Sequence, residues 1–432
     1  MKVCVVGLWH LGTVTAACLA AGGHDVTGLD FDDAVAGALA AGKPPVFEPG
    51  LEELLKVGAD SGRLRFTADA PAAVEDADVV WVAYDTPVDD DDRADVEQVV
   101  EQARRLFPHL HDGSLVLISS QVPVGTTRRL EQMFAGEARG RSVSFAYVPE
   151  NLRLGRAIDA FTHPDRVVAG VRSPADRERI AELHRPFTDR IEWMSVESAE
   201  MTKHALNAFL ATSVVFINEI AALCEQVGAD AMEVAAGLKS EARIGPKAYV
   251  SPGSAFAGGT LARDVVFLSD LGRNRGVTTH LLSSVKASND AHAQWAYRRV
   301  SQLLNGVAGQ TVAVWGLTYK TGTDTLRRSA AVELCERLHA DGAIVQAHDP
   351  ALKALPPAVA AHVRFADNAL DAVTGASALV VATPWPEYRD VAAEQVAARM
   401  IRRLVLDANR FLGDTFGSNS DFEYLSVGKP GR

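Results

Sequence analysis

Short apolar runs alternating with helical stretches fill the first third of the chain. Val3–Val6, Asp25–Leu29, Val79–Tyr84, Ser114–Ser119 and Ser142–Val148 read as strands. Thr13–Ala21 and Val96–Leu106, lying between them, carry the wider apolar spacing of helices. Strands buried on both faces are almost continuously apolar, and a parallel pair needs a crossover helix, so the alternation predicts a helix-covered parallel sheet. From about Val196 to Gly237 the pattern becomes one long helical run. Turn signals gather at Arg243-Ile244-Gly245-Pro246 and Ser251-Pro252-Gly253, and helix returns to about Leu304. A strand and turn restart at Thr311–Gly316, and alternation resumes through Val345, Leu379–Ala382 and Leu404–Leu406. The expected architecture is α/β, with two doubly wound parallel-sheet domains, 1–195 and 305–432, joined by a helical domain, 196–304.

Composition changes this picture little. The chain has 432 residues, 47% hydrophobic and 23% charged, which is ordinary for a globular protein of two or three domains. The apolar runs look shorter than the roughly 20 residues of a membrane helix, and the chain opens directly on a strand, so neither membrane association nor a signal peptide is expected. Four cysteines, Cys4, Cys18, Cys224 and Cys335, sit inside apolar patterns without a CxxC pair. That usage fits a reducing cytoplasm and argues against a disulfide framework or a metal site. The net charge of −12 disfavours nucleic acid as a partner. The acidic run Asp89–Asp92 fits a solvated loop better than a metal site.

Chemistry first enters at the turn Gly7-Leu8-Trp9-His10-Leu11-Gly12, after the first strand and opening a helix. A dinucleotide turn has the form Gly-x-Gly-x-x-Gly: a tight bend, close backbone approach to the pyrophosphate, and close helix packing. Here Trp9 replaces the middle glycine. Asp30, 18 residues beyond Gly12, ends the second strand, where a carboxylate accepts from the adenosine ribose and repels a 2′-phosphate. The expectation is a Rossmann-like domain using NAD; a helix-capping turn in an α/β protein without nucleotide is the plainer alternative. His10 can meet the cofactor or a neighbouring carbonyl.

Further stretches resemble the UDP-glucose/GDP-mannose dehydrogenase family in order and spacing over essentially the whole chain. They include Phe47-Glu48-Pro49-Gly50-Leu51, Asp85-Thr86-Pro87, Val122-Pro123-Val124-Gly125-Thr126-Thr127 and Pro149-Glu150-Asn151-Leu152. Glu200-x-x-Lys203-x-x-x-Asn207, Arg243-Ile244-Gly245 and Pro252-Gly253-x-x-Phe256-x-Gly258 follow, then Gly316-Leu317-Thr318-Tyr319-Lys320, Thr323-Asp324-x-x-Arg327-x-Ser329 and Asp349-Pro350. The resemblance implies an N-terminal NAD domain, a central helical dimerisation domain and a C-terminal nucleotide-sugar domain, assembled as a homodimer. It implies that Thr86, Gln121, Arg263 and Arg327 lie toward the cofactor. Glu150, Asn151, Leu152, Arg153 and Leu154 would line the sugar, with Arg243, Tyr249, Gly253 and Phe256 also toward the substrate and Lys320 on its diphosphate.

Members of that family oxidise a sugar C6 alcohol twice, capturing the intermediate aldehyde on a cysteine in Gly-Gly-x-Cys-x-x-Lys-Asp. Matched back from Asp264, the segment Gly258-Gly259-Thr260-Leu261-Ala262-Arg263-Asp264 places Thr260 at the cysteine and Arg263 at the lysine. A thiol ionises at a pKa of about 8.5, whereas an aliphatic hydroxyl needs an adjacent base to act as a nucleophile. Gln121 stands where the family has a threonine, and Leu154 where it has a second glutamate. Lys203 and Asn207, at i and i+4, share a helix face and suit the stabilisation of an alkoxide, with Asp264 holding a water or the lysine. Read alone, Lys203 would be a solvated helix lysine and Asp264 a helix cap. Four functions follow: oxidation of the alcohol to the aldehyde only, full oxidation through a gem-diol, redox-neutral chemistry with retained NAD, or a non-catalytic nucleotide-sugar sensor.

Overall fold

A computed structural model describes residues 1–87, 89, 94–138, 140–150, 152, 154–257 and 259–429. The chain divides into two compact units, Met1–Ala205 and Leu206–Arg432. In the first unit the strands are β1 (Lys2–Val6), β2 (Asp25–Leu29), β3 (Leu64–Thr67), β4 (Val79–Val82), β5 (Leu115–Ile118), β6 (Ser144–Tyr147), β7 (Val167–Gly170) and β8 (Ile191–Met194). They form one sheet in the order β3-β2-β1-β4-β5-β6-β7-β8. Every pairing is parallel except β6 with β7, where Tyr147 faces Gly170. Because side chains alternate along a strand, Val3, Val5, Val79 and Trp81 enter the core on one face, and Cys4, Val6, Val80 and Val82 the core on the other.

The second unit holds β9 (Thr311–Trp315), β10 (Ile344–His348), β11 (Arg364–Phe365), β12 (Ala378–Val381), β13 (Leu404–Asp407) and β14 (Glu423–Leu425). Their order, β11-β10-β9-β12-β13-β14, repeats that of the first six strands of the other sheet, and all pairings are parallel. The switch point beside the first strand of each sheet, where crossovers diverge, is where such folds take ligands.

The expected helical run breaks into two. One helix spans Val196–Val227 and the next Ala231–Ser240. Gly228, at φ +81°, ends the first, and Asp230 caps the second by accepting from the Met232 amide at 2.8 Å. Helices Gly259–Asn274, His280–Ala293 and Trp295–Leu304 complete the helical part of the second unit. The Val196–Val227 helix corrects one expectation. By length and composition it is apolar enough to cross a membrane, with a mean hydropathy of 1.6 over its most apolar window. Five of its polar residues are nevertheless buried: Glu200, Lys203, His204, Asn207 and Asn218.

Candidate active site

The dinucleotide turn follows β1. Gly7 has φ +90°, and a Cβ there would stand 2.6 Å from the Tyr84 ring. A Cβ on Gly12 would lie 1.9 Å from the carbonyl oxygen of Gly7. Both positions therefore require glycine. Trp9 does not: it is extended at φ −80°, caps the helix His10–Ala21, and is 50% exposed. The turn thus carries an exposed indole where the dinucleotide pattern has its middle glycine. Asp30 is aimed into the turn, its Oδ2 accepting from the Leu8 amide at 2.8 Å and its Oδ1 from the Asp32 amide at 3.0 Å. Leu11 packs in the core beneath. Thr86, buried beyond β4, donates its hydroxyl to the carbonyl of Gln121 at 2.7 Å. The buried Ser120 hydroxyl beside it has no hydrogen-bond partner among the described residues. The paired glycines, oriented carboxylate and buried hydroxyl fit a dinucleotide, whose pyrophosphate favours the first-turn amides of a helix.

The loop 150–154 is fastened at both ends. Lys203, on the Val196–Val227 helix and buried, donates Nζ to the Glu150 carbonyl at 2.5 Å. The plainer reading of Lys203 as a solvated lysine is thus excluded. The next residue, His204, turns away and bonds Nε2 to the Val122 carbonyl at 2.8 Å. Glu150 uses its own carboxylate to accept from the Leu152 amide. Leu154 is half-buried; Asn151 and Arg153 lie outside the described residues, as do Asp90, Asp91 and Asp92 of the acidic run. At the far end, Glu48 accepts from the amides of Gly155 at 2.7 Å and Ala157 at 2.8 Å, and contacts His10 Nε2 at 2.9 Å. Glu200 is wholly buried and accepts from the amides of Gly125 and Thr127, at the start of the helix Thr126–Glu137. Burial pushes its carboxyl up, and those two amides oppose the rise. The motifs of Glu48 and Glu200 were visible in the sequence, but their roles as buried anchors were not.

In the second unit, Asp264 is fully buried and accepts from Asn207 Nδ2 at 2.5 Å. It lies within the helix Gly259–Asn274 rather than at its start, so it is not a cap. Thr260 is exposed in the first turn of that helix, while Arg263 is buried. The preceding loop is organised by three asparagines. Asn218 Oδ1 accepts from the Gly253 amide at 3.0 Å, Asn409 Oδ1 from Ser254 at 2.9 Å, and Asn289 Oδ1 from Phe256 at 3.0 Å. A Cβ on Gly253 would press to 2.4 Å from Asn409 Oδ1. Asn218, in Asn218-Glu219, is one of the stretches that carry the family resemblance, whereas Asn289 and Asn409 belong to no motif legible by spacing. Arg243 is exposed and pairs with Glu241 at 3.0 Å, and Tyr249 is 57% exposed. Lys320 is half-buried in the loop after β9, and Arg327 is exposed. Among the described residues no group of three or more His, Cys, Asp or Glu side chains is set to hold a metal.

The fold and these residues define an NAD-dependent dehydrogenase acting on a CH–OH group. Three profiles of the UDP-glucose/GDP-mannose dehydrogenase family match: its NAD binding domain over residues 1–188, its central domain over 197–291 and its UDP binding domain over 313–414. The UDP-glucose 6-dehydrogenase of Pseudomonas aeruginosa is 36% identical across 100% of this chain and 98% of that protein. One from Bacillus subtilis is 34% identical across 99% and 98%. Among solved structures, a UDP-glucose dehydrogenase from Pyrobaculum islandicum is 31% identical with a TM-score of 0.83, covering 90% of this chain and 91% of that one. A UDP-D-ManNAc dehydrogenase from Pyrococcus horikoshii is 25% identical with a TM-score of 0.86, covering 99% of both. The chain belongs to the UDP-glucose/GDP-mannose dehydrogenase family, and its substrate is a nucleotide sugar.

Proposed function

We propose that this dehydrogenase oxidises the C6 alcohol of a nucleotide-linked sugar to the aldehyde and stops there. The carrying observation is the state of its sulfur. Thr260 stands where the family resemblance places the capturing cysteine, and Cys4, Cys18, Cys224 and Cys335 are all buried in core positions. Burial pushes the thiols of Cys4, Cys18 and Cys335 up to about 12, so these three supply no thiolate at neutral pH. The balance is R–CH2OH plus NAD+ giving R–CHO, NADH and a proton. Held at the dinucleotide turn, NAD would supply the hydride acceptor; the chain must orient the alcohol and accept its proton. Lys203 suits stabilisation of the developing alkoxide. The Asn207–Asp264 pair suits holding the water that carries the proton away. Glu150, Asn151, Leu152, Arg153 and Leu154 would line the sugar, with Arg243, Tyr249, Gly253 and Phe256 also toward the substrate and Lys320 on its diphosphate.

Full oxidation to the acid is the second reading, favoured by the relatives' being UDP-glucose 6-dehydrogenases. It requires a hydrated aldehyde as the second hydride donor. The remaining assignments are an NAD domain over 1–195, a helical dimerisation domain over 196–304, a nucleotide-sugar domain over 305–432 and a homodimer, which rest on the same resemblance, and a cytoplasmic location, which rests on the cysteine usage. The test is the mass spectrum of products from UDP- and GDP-sugars with NAD and an aldehyde trap. One NADH per trapped aldehyde is expected. A uronic acid with two NADH overturns the truncated oxidation, and an altered sugar without NADH replaces it by redox-neutral chemistry.

A further inference from the structure

His10 belongs to two structures at once. Its backbone opens the helix His10–Ala21 at the dinucleotide turn, so its amide is among the first-turn N–H groups that an anionic pyrophosphate attracts. Its side chain, 14% exposed, reaches Glu48, whose carboxylate is 1% exposed. Glu48 in turn holds the start of the helix Ala157–Thr162 through the amides of Gly155 and Ala157. Both carboxylate oxygens already accept from backbone N–H, so Nε2 of His10 is the donor in its 2.9 Å contact. A buried carboxylate is held in place only while its donors remain. Gly155 lies at φ +82°, in the left-handed region, and its amide points to this acceptor. The path from turn to sugar loop is thus one imidazole and one carboxylate.

We propose that His10 is a positioning residue that couples NAD binding to the conformation of the sugar-binding loop through Glu48. Seating the pyrophosphate fixes the first turn of the helix and with it the imidazole. The imidazole fixes Glu48, and Glu48 fixes the far end of the loop whose near end Lys203 holds. The inference rests on the proposed assignment of the 150–154 loop to the sugar. Its signature is a coupling between two binding equilibria, which must be reciprocal.

The experiment is calorimetric titration of the full chain with NAD, alone and with saturating UDP-glucose, and the reverse titration. The wild type is expected to bind each ligand at least about fivefold more tightly when the other is present, within the usual range of such couplings. His10→Phe fills the space without a donor and is expected to bring that factor close to one, with each ligand still binding alone. His10→Gln, which restores an N–H donor, is expected to recover most of it. Glu48→Gln serves as the second variant and should lose the coupling like His10→Phe. Unchanged coupling in a folded His10→Phe or Glu48→Gln, or its absence in the wild type, overturns the proposal. If NAD and UDP-glucose each bind yet no coupling exists, the functional assignment survives and this inference alone falls. If another UDP- or GDP-sugar binds in place of UDP-glucose, the same cycle is run with it.

Discussion

At the scale of single residues, the decisive position is Thr260. Its hydroxyl is exposed in the first turn of a helix, where partial positive charge lowers the pKa of a thiol. Thr260→Cys is therefore expected to yield uronic acid and raise the NADH count from one to two per sugar, read by mass spectrometry and absorbance. An unchanged aldehyde product would show that Gln121 or Leu154 also limits the second half of the reaction. Lys203→Ala is expected to reduce kcat by roughly 10²- to 10⁴-fold, the usual size of such contributions, with a smaller change in KM; loss of binding alone would make Lys203 a loop anchor. Most of these residues were legible because short motifs kept their order. What spacing could not supply was contact: that Lys203 reaches the Glu150 carbonyl, that Asp264 accepts from Asn207, or that His10 meets Glu48. Such contacts join residues distant in sequence, and only the fold brings them together.

Between elements, the first unit is tied by charge as well as by its cores. Arg172, just beyond β7, donates to both Glu131, on the helix Thr126–Glu137, and Glu197, in the first turn of the Val196–Val227 helix. Those bonds hold the Glu197 carboxyl well down, at about 2. A folded-state pKa below the unfolded value stabilises the protein above the unfolded pKa, near 4.5, and that contribution disappears as pH falls toward 2. Arg172→Ala is expected to cost about 1 kcal/mol at neutral pH for so partly exposed a network, with the difference from wild type vanishing between pH 4.5 and 2. A urea titration across that range measures it. The strands β1, β2, β4, β5 and β6 were readable as apolar runs. β3, Leu-Arg-Phe-Thr, and β8, Ile-Glu-Trp-Met, were missed because their half-buried edge positions admit charge. The two sheets repeat one order, and the turns after β1 and β9 match, with Gly7 at φ +90° and Gly316 at +87°. They differ in the acid that follows. Asp30 is partly open, whereas Asp349 is 1% exposed and already accepts from Leu317, Thr318, Ala351 and Trp385. Such a carboxylate has little left to offer a ribose, so the repeated fold does not repeat the dinucleotide site.

For the molecule as a whole, the open question is what covers the Val196–Val227 helix. Its outward positions include Phe209 at 70%, Phe216 at 47%, Leu223 at 62% and Val227 at 77% exposure. Phe209, Phe216 and Leu223 are seven residues apart, which on a helix of 3.6 residues per turn aligns them along one stripe. Contiguous exposed apolar surface of this kind marks a contact with another protein or with a membrane. The proposed homodimer commits it to a second copy. In detergent-free buffer the protein should sediment at about 92 kDa, twice the 46.1 kDa of the chain. Phe209→Asp together with Phe216→Asp places two carboxylates in the stripe, where a dry interface cannot solvate them. That variant is expected to sediment as a monomer and keep its thermal unfolding midpoint within a few degrees, because both side chains face outward. Sedimentation of the wild type at 46.1 kDa would remove the dimer. Co-flotation with vesicles, lost in the same double variant, would give the stripe to a lipid surface instead. The stripe and the proposed catalytic positions share one helix, with Lys203 and Asn207 buried and the phenylalanines exposed. A partner pressing on the stripe would therefore also constrain the helix that carries both residues, so activity should fall with dissociation on dilution of the wild type.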